Sequence, residues 1–236
     1  MRMREDLTAA HDRACQRLAR PGTWWTGTER VAIAAEARRA TACRLCRQRR
    51  DALSPEQVTG THDQPGDLPP HVVEAVHRIR TDSGRLTEAW FRRMRAAGLS
   101  EEHYVELIGI VATVIAVDGF HHALGLSPRP LPAPEPGEPT RRRPSGAKPG
   151  GAWVAMVAPE DLTPDDPPIY QGKSGAFIHR ALSLVPDEVI GFFDLDDAMY
   201  LPDALLRDFG REYRALTHDQ IELLAARMSA LNRCHY

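Results

Sequence analysis

The stretch SEEHYVELIGIVATVIAVDGFHHALG, Ser100 to Gly125, decides the fold class. Ser100 is a good N-cap residue, and Glu101 and Glu102 place negative charge in the first turn, where the helix dipole favours it. Gly125 is a natural stop. Between them, Leu107 to Val117 is apolar nearly all round. A helix with no polar stripe has no face to give to water, so this one belongs inside the molecule. The apolar run is too short to span a bilayer.

Helical patterns continue on both sides. Ala9 to Leu18 forms a first helix. Thr28 to Arg50 forms a second, alanine-rich, with Thr26 or Thr28 as its cap. His71 to Arg80 follows Pro69-Pro70, and proline is favoured at a helix start. Thr87 to Ala97 ends at Gly98. Downstream, Ala176 to Ser183, Pro186 to Met199 and Ala204 to Glu212 read as helices. Thr217 caps a last one, Asp219 to Asn232, whose Ile221, Leu224, Ala225, Met228 and Leu231 recur at helical spacing. No segment alternates as a strand would, so the class is all-α.

Ser127 to Pro149 interrupts this pattern with eight prolines and the run Arg141-Arg142-Arg143. Closely spaced prolines favour extended polyproline II and exclude helix. The segment 127–152 reads as a linker and the arginines as solvated charge, separating a first half (1–126) from a second (153–236). A weak echo relates the halves. A Thr-capped, alanine-rich helix leads to Cys43 in one, and a Thr217-capped helix leads to Cys234 in the other.

Composition narrows the function. The chain has 236 residues and a net charge of −2, which suits neither nucleic acid nor an anionic membrane surface. The N-terminal segment has no apolar core of the secretory kind, so a reducing cytoplasm is expected. Four cysteines are too few for a disulfide scaffold at this length.

Cys43-Arg44-Leu45-Cys46 is the main chemical motif. Two cysteines three apart close a disulfide, hold half a zinc site, or simply pack. Arg38, Arg39, Arg44, Arg47, Arg49 and Arg50 surround them in sequence, and positive charge favours thiolate. A thiolate attacks a peroxide to give sulfenic acid, which a neighbouring thiol condenses to a disulfide. The other candidates read more plainly. His71, His77 and His103 suit helix surfaces, and His121-His122 suit a helix C-terminus. Trp24-Trp25 suit a staple before the cap, and Cys15 a core position.

The run from Glu222 through Asn232-Arg233-Cys234-His235-Tyr236 resembles the active-site segment of the alkylhydroperoxidase D-like / carboxymuconolactone decarboxylase superfamily, in its peroxidase-related branch. Arg180 to Val189 and Leu99 to Leu126 resemble its other helices. The family motif is a glutamate, then C-x-x-C, then a histidine four residues on. The resemblance implies that Glu222 is the proton-relay glutamate and Cys234 the resolving thiol. The nucleophile would fall at position 237 and the relay histidine at 241. A truncated or degenerate chain, an incomplete sequence and a stop codon read as selenocysteine each account for that register. In the first half the resemblance implies Cys43 as resolving and Cys46 as peroxidatic, with Val31 and Arg50 at the relay positions.

The resemblance thus implies a catalytic set of Cys43, Cys46, Glu222 and Cys234 for alkyl hydroperoxide reduction. It also implies a thioredoxin-like or dithiol reductant, no cofactor, and a homo-oligomer. Two alternatives remain. One is a non-catalytic helical scaffold. The other is a zinc protein using Cys43, Cys46, Cys234 and His235.

Overall fold

Trp90, Ile33, Leu99, Leu107, Ile110, Leu184 and Val185 lie at the centre of one continuous apolar core. The protein is described by a computed structural model over residues 3–171 and 174–232. Among these residues the chain forms α1 (Glu5–Ala19), α2 (Gly27–Ala40), α3 (Arg44–Asp51), α4 (Pro70–Asp82) and α5 (Glu88–Ala96). Then come α6 (Glu101–Ala123), α7 (Phe177–Arg180), α8 (Pro186–Met199), α9 (Asp203–Leu206) and α10 (His218–Leu231), with short 3-10 turns between some of them. No strand occurs among the described residues. One backbone bridge pairs Lys148 with Met156. The class is all-α, as the sequence indicates.

Local chemistry sets the helix ends. Thr26 and Glu29 form a capping box on α2, as do Thr217 and Gln220 on α10. The Ser100 side chain accepts from the His103 N–H and starts α6. Gly98 and Gly125, both at positive φ, follow the C-terminal ends of α5 and α6.

At 23 residues α6 is long and apolar enough to cross a membrane by length and composition. It is instead a core helix, packed by α2, α4 and α8.

Three readings of the sequence are corrected. Thr28 to Arg50 is not one helix. It breaks at residues 41–43, where Cys43 is extended (φ −65°, ψ 127°) and starts α3. Ala204 to Glu212 contracts to the four residues of α9, which Gly210 and the turn before it do not extend. Ala176 to Ser183 contracts to the single turn of α7.

The Pro-rich segment is a docked strap. The Glu135 N–H donates to the Ala19 carbonyl (2.7 Å) and the Arg141 N–H to the Thr23 carbonyl (2.8 Å). The three arginines are partly exposed but each has a partner. Arg141 lies over the Trp24 ring, Arg142 is 3.8 Å from the Asp166 carboxylate, and Arg143 pairs with Glu102. Extended backbone leaves its N–H groups free, and the turn between α1 and α2 offers carbonyls to receive them.

Residues on both sides of the strap share a buried ion cluster. Arg30 on α2 donates to Glu106 on α6 and to Glu188 on α8 (2.8 Å). Glu106 also accepts from the Trp24 N–H (2.6 Å). A Cβ at Gly109 would lie 2.2 Å from the Glu188 carboxylate, so a larger residue here would displace the Glu188 side chain from the cluster. Burial, with the charge of Glu188, pushes the Glu106 carboxyl up to about 7 despite Arg30. The folded chain therefore holds a proton that the unfolded chain releases near 4.5. The stabilising contribution is complete below that value and is lost as pH rises through about 7. Glu106→Gln is expected to flatten the fall in stability between pH 5 and pH 8, read from urea unfolding midpoints on that pH series. An unchanged slope would contradict the assignment.

Candidate metal centre

Cys43 and Cys46 meet two histidines that are remote in sequence. Sγ of Cys43 lies 3.5 Å from Nδ1 of His62. Sγ of Cys46 lies 3.7 Å from the same atom and 3.1 Å from Nδ1 of His77. Each of the four side chains offers one ligand atom, and these atoms all lie within 4.8 Å of one another. Cys43, Cys46 and His77 are buried, and the His62 side chain is 9% exposed.

Each donor arrives by a separate route. Cys43 is the N-cap of α3 and Cys46 is its third residue, so one helical turn presents both sulfurs. His62 comes from the loop 52–69, which several side-chain bonds pin. The Asp63 carboxylate accepts from the Arg44 N–H (2.6 Å), Arg49 Nε donates to the Val58 carbonyl (3.0 Å), and the Gly66 N–H donates to Glu36 (2.8 Å). Gln64, in the same loop, adopts φ +46°, a conformation that L residues hold only when their surroundings impose it. His77 comes from the inner face of α4.

The outer ring nitrogens determine what the inner ones offer. Nε2 of His77 is 2.7 Å from the fully buried Glu36 carboxylate, and Nε2 of His62 is 2.9 Å from Glu74. A carboxylate accepts, so each Nε2 carries the proton. With the ring neutral, as a metal ligand requires, each Nδ1 lone pair then points inward at the sulfurs. Glu36 is held by Arg39 (2.8 Å) and Glu74 by Arg49 (2.8 Å).

Without a metal the centre draws positive charge. Burial lowers the His62 ring, but Cys46, Glu74 and Cys43 outweigh it and raise the ring to about 10. Burial raises Glu74, but His62 and Arg49 bring it to about 2. Burial likewise raises the Cys43 thiol, while the Asp63 and Cys46 N–H groups and His62 bring it below its ordinary value. His77 moves down, chiefly through burial and helped by the charge on His62. The proton on His62 thus occupies the place that a cation between the same donors would take.

The structure sorts the sequence-derived candidates. It joins Cys43 and Cys46 but not Glu222. Glu222 sits on α10, accepts from the Tyr200 hydroxyl (2.5 Å) and lies 4.0 Å from His218. A groove of about 620 Å³ runs beside that helix, lined by Met199, Tyr200, Ile221, Leu224 and Met228 among others. Cys234 and His235 lie outside the described residues, so the zinc set that included them is undescribed. His77, expected at a helix surface, is fully buried. His62 had no part in the sequence reading. The expectation of no cofactor came with the resemblance, and the two histidines join the cysteines in a set that could hold a metal ion. Its signal is the spacing C-x2-C, then fifteen residues to His62, then fourteen to His77. The second gap is longer than that of a zinc finger.

No family model matches the chain, and no curated protein or solved structure does either. The cluster is chemistry suited to metal binding or to thiol redox, and its geometry carries the functional argument.

Proposed function

We propose that Cys43, Cys46, His62 and His77 bind one Zn2+ in a closed tetrahedral site that fixes the corner formed by α3, the loop 52–69 and α4. One observation carries this reading: two thiols and two carboxylate-oriented Nδ1 lone pairs converge on one point. Zinc bonds of about 2.3 Å to sulfur and about 2.0–2.1 Å to nitrogen give a tetrahedral S–N edge of about 3.6 Å. The 3.5 and 3.7 Å contacts of His62 fall on either side of that edge. Charge also closes. A dication with two thiolates and two neutral rings is neutral, and Arg39 and Arg49 balance Glu36 and Glu74. An S2N2 set suits Zn2+ over the hard cations. All four positions come from protein, the pattern of a structural site.

Cobalt substitution tests this reading. Titrating the metal-free chain with Co2+ is expected to give tetrahedral d–d bands and thiolate charge-transfer absorption, saturating at one equivalent. Weak octahedral bands would overturn the site. Glu36→Gln and Glu74→Gln, which weaken the hold on each ring, are each expected to lower zinc affinity roughly 10–100-fold. Competition with a chromophoric chelator measures this.

Peroxide reduction is the second reading. It is favoured by the position of Cys43 at the N-terminus of α3, where helix and backbone N–H groups support a thiolate. Here Cys43 and Cys46 turn over as free thiols, recharged by a thioredoxin-like or dithiol donor. Metal-free protein that reduces an alkyl hydroperoxide catalytically, and stops when zinc is added, is the result that favours it.

A further inference from the structure

We infer that the zinc centre is a peroxide-operated release device, in which oxidation of Cys43 and Cys46 to a disulfide expels the metal while the loop 52–69 keeps its other ties. The inference rests on the zinc reading and adds its regulation.

Three features support it. First, both sulfurs lie on one helical turn, at the N-cap and third residue of α3. A disulfide between them joins residues three apart whose sulfurs lie within 4.8 Å. The two remaining ligands, His62 and His77, leave half a coordination shell. Second, the loop 52–69 covers the sulfurs on one side. Cys46 packs against buried His77 on α4, and His62 lies 3.5 Å from Cys43 and 3.7 Å from Cys46. The His62 loop has a single 3-10 turn, Pro55–Gln57, and exposed residues at Thr59, Gly60, Thr61, Gln64 and Pro65. The exposed side of this loop is the face from which a small oxidant reaches the two sulfurs. Third, the loop keeps its other ties when zinc leaves. Asp63 to the Arg44 N–H, Arg49 to Val58, and Glu36 to the Gly66 N–H involve none of the four ligand atoms. The ligands stay close enough to rebind after reduction.

The chemistry balances. The Cys43 thiolate donates its electron pair to one oxygen of hydrogen peroxide. An S–O bond forms, the O–O bond breaks, and the departing hydroxide takes a proton from solvent to become water. The Cys46 thiolate then attacks the Cys43 sulfur. The S–S bond forms, the S–O bond breaks, and the second hydroxide takes a second proton. The two sulfurs together lose two electrons and the peroxide gains them. The products are a disulfide, aqueous Zn2+ and two waters. A dithiol returns the two electrons and restores the site.

The test uses the full chain with Cys15→Ser and Cys234→Ser, so that only the pair reacts. The reduced protein is loaded with one zinc and washed. Hydrogen peroxide is added in steps, with a chromophoric indicator reading free zinc and peptide mass spectrometry reading the thiols. The expected result is one zinc released per peroxide consumed, one Cys43–Cys46 disulfide, and full zinc uptake after dithiothreitol. Zinc that stays bound while peroxide is consumed overturns the inference. So does zinc released with sulfinic acid and no disulfide. Failure of the parent reading is distinct, because that protein takes up no zinc before any peroxide is added.

Discussion

Cys46→Ser is expected to lose zinc and to lower the stability of the chain by about 4 kcal/mol, because metal binding and folding are one process in a site of this kind. The change is nearly isosteric, so the core around Leu45 and Val58 keeps its volume. Under the proposed zinc site, what it removes is one of four bonds to the metal. Structural zinc sites contribute on the order of 10 kcal/mol of apparent binding free energy. Part of that remains unavailable to folding here, since α1, α2, α4, α6 and α8 share a core that does not pass through the site. For a chain of this size about 4 kcal/mol corresponds to a Tm lowered by roughly 8–16 °C. The control is a chelator. With excess chelator, wild type is expected to fall to the Tm of Cys46→Ser, and the variant to stay where it was. Unfolding by circular dichroism with and without chelator reads both. A variant that melts with the wild type in zinc-replete buffer would contradict a structural role.

The second large effect lies outside the site. Arg30→Met is expected to destabilise the protein by about 3–5 kcal/mol at pH 8, because it leaves Glu106 and Glu188 as two facing, buried, uncompensated carboxylates. At pH 5 the loss is expected to shrink, since the Glu106 carboxyl then takes up a proton. Replacing the whole cluster, with Glu106→Gln and Glu188→Gln added to Arg30→Met, is expected to recover part of the stability at pH 8. Urea unfolding at the two pH values separates the outcomes. An Arg30→Met loss that is equal at pH 5 and pH 8 would mean that packing, and not charge, holds α2, α6 and α8 together.

Much of the architecture was visible in sequence because it depends on local chemistry. The Ser100 cap, the all-round apolar face of α6 and the Thr26 and Thr217 caps depend on residues within one or two turns of each other. The break at residues 41–43 was not visible. Alanine and arginine around Cys43 favour continuous helix, and the break is supported by Asp63, nineteen residues on, which accepts from the Arg44 N–H. The Pro-rich strap carries no helix over residues 126–144, but its docking depends on carbonyls of Ala19 and Thr23 that no composition reports.

The candidate site was half visible. C-x-x-C declares itself by spacing. His62 sits in a Gly- and Pro-containing loop where periodicity has no meaning, and His77 occupies a helix position that pattern alone assigns to either face. Glu36 and Glu74 looked like ordinary helix carboxylates, and only the fold turns them toward the two rings. The C-x-x-C spacing draws attention to the thiols. The histidines change what those thiols are suited to do.

The most direct measurement is the metal content of the purified chain, followed by zinc X-ray absorption on the same sample. The expected result is one zinc per chain with two sulfur neighbours at about 2.3 Å and two nitrogen neighbours at about 2.0–2.1 Å. The sulfur shell is expected to be lost in Cys43→Ser with Cys46→Ser. A reduced chain that takes up no zinc, or one whose zinc has only oxygen and nitrogen neighbours, would contradict the zinc site.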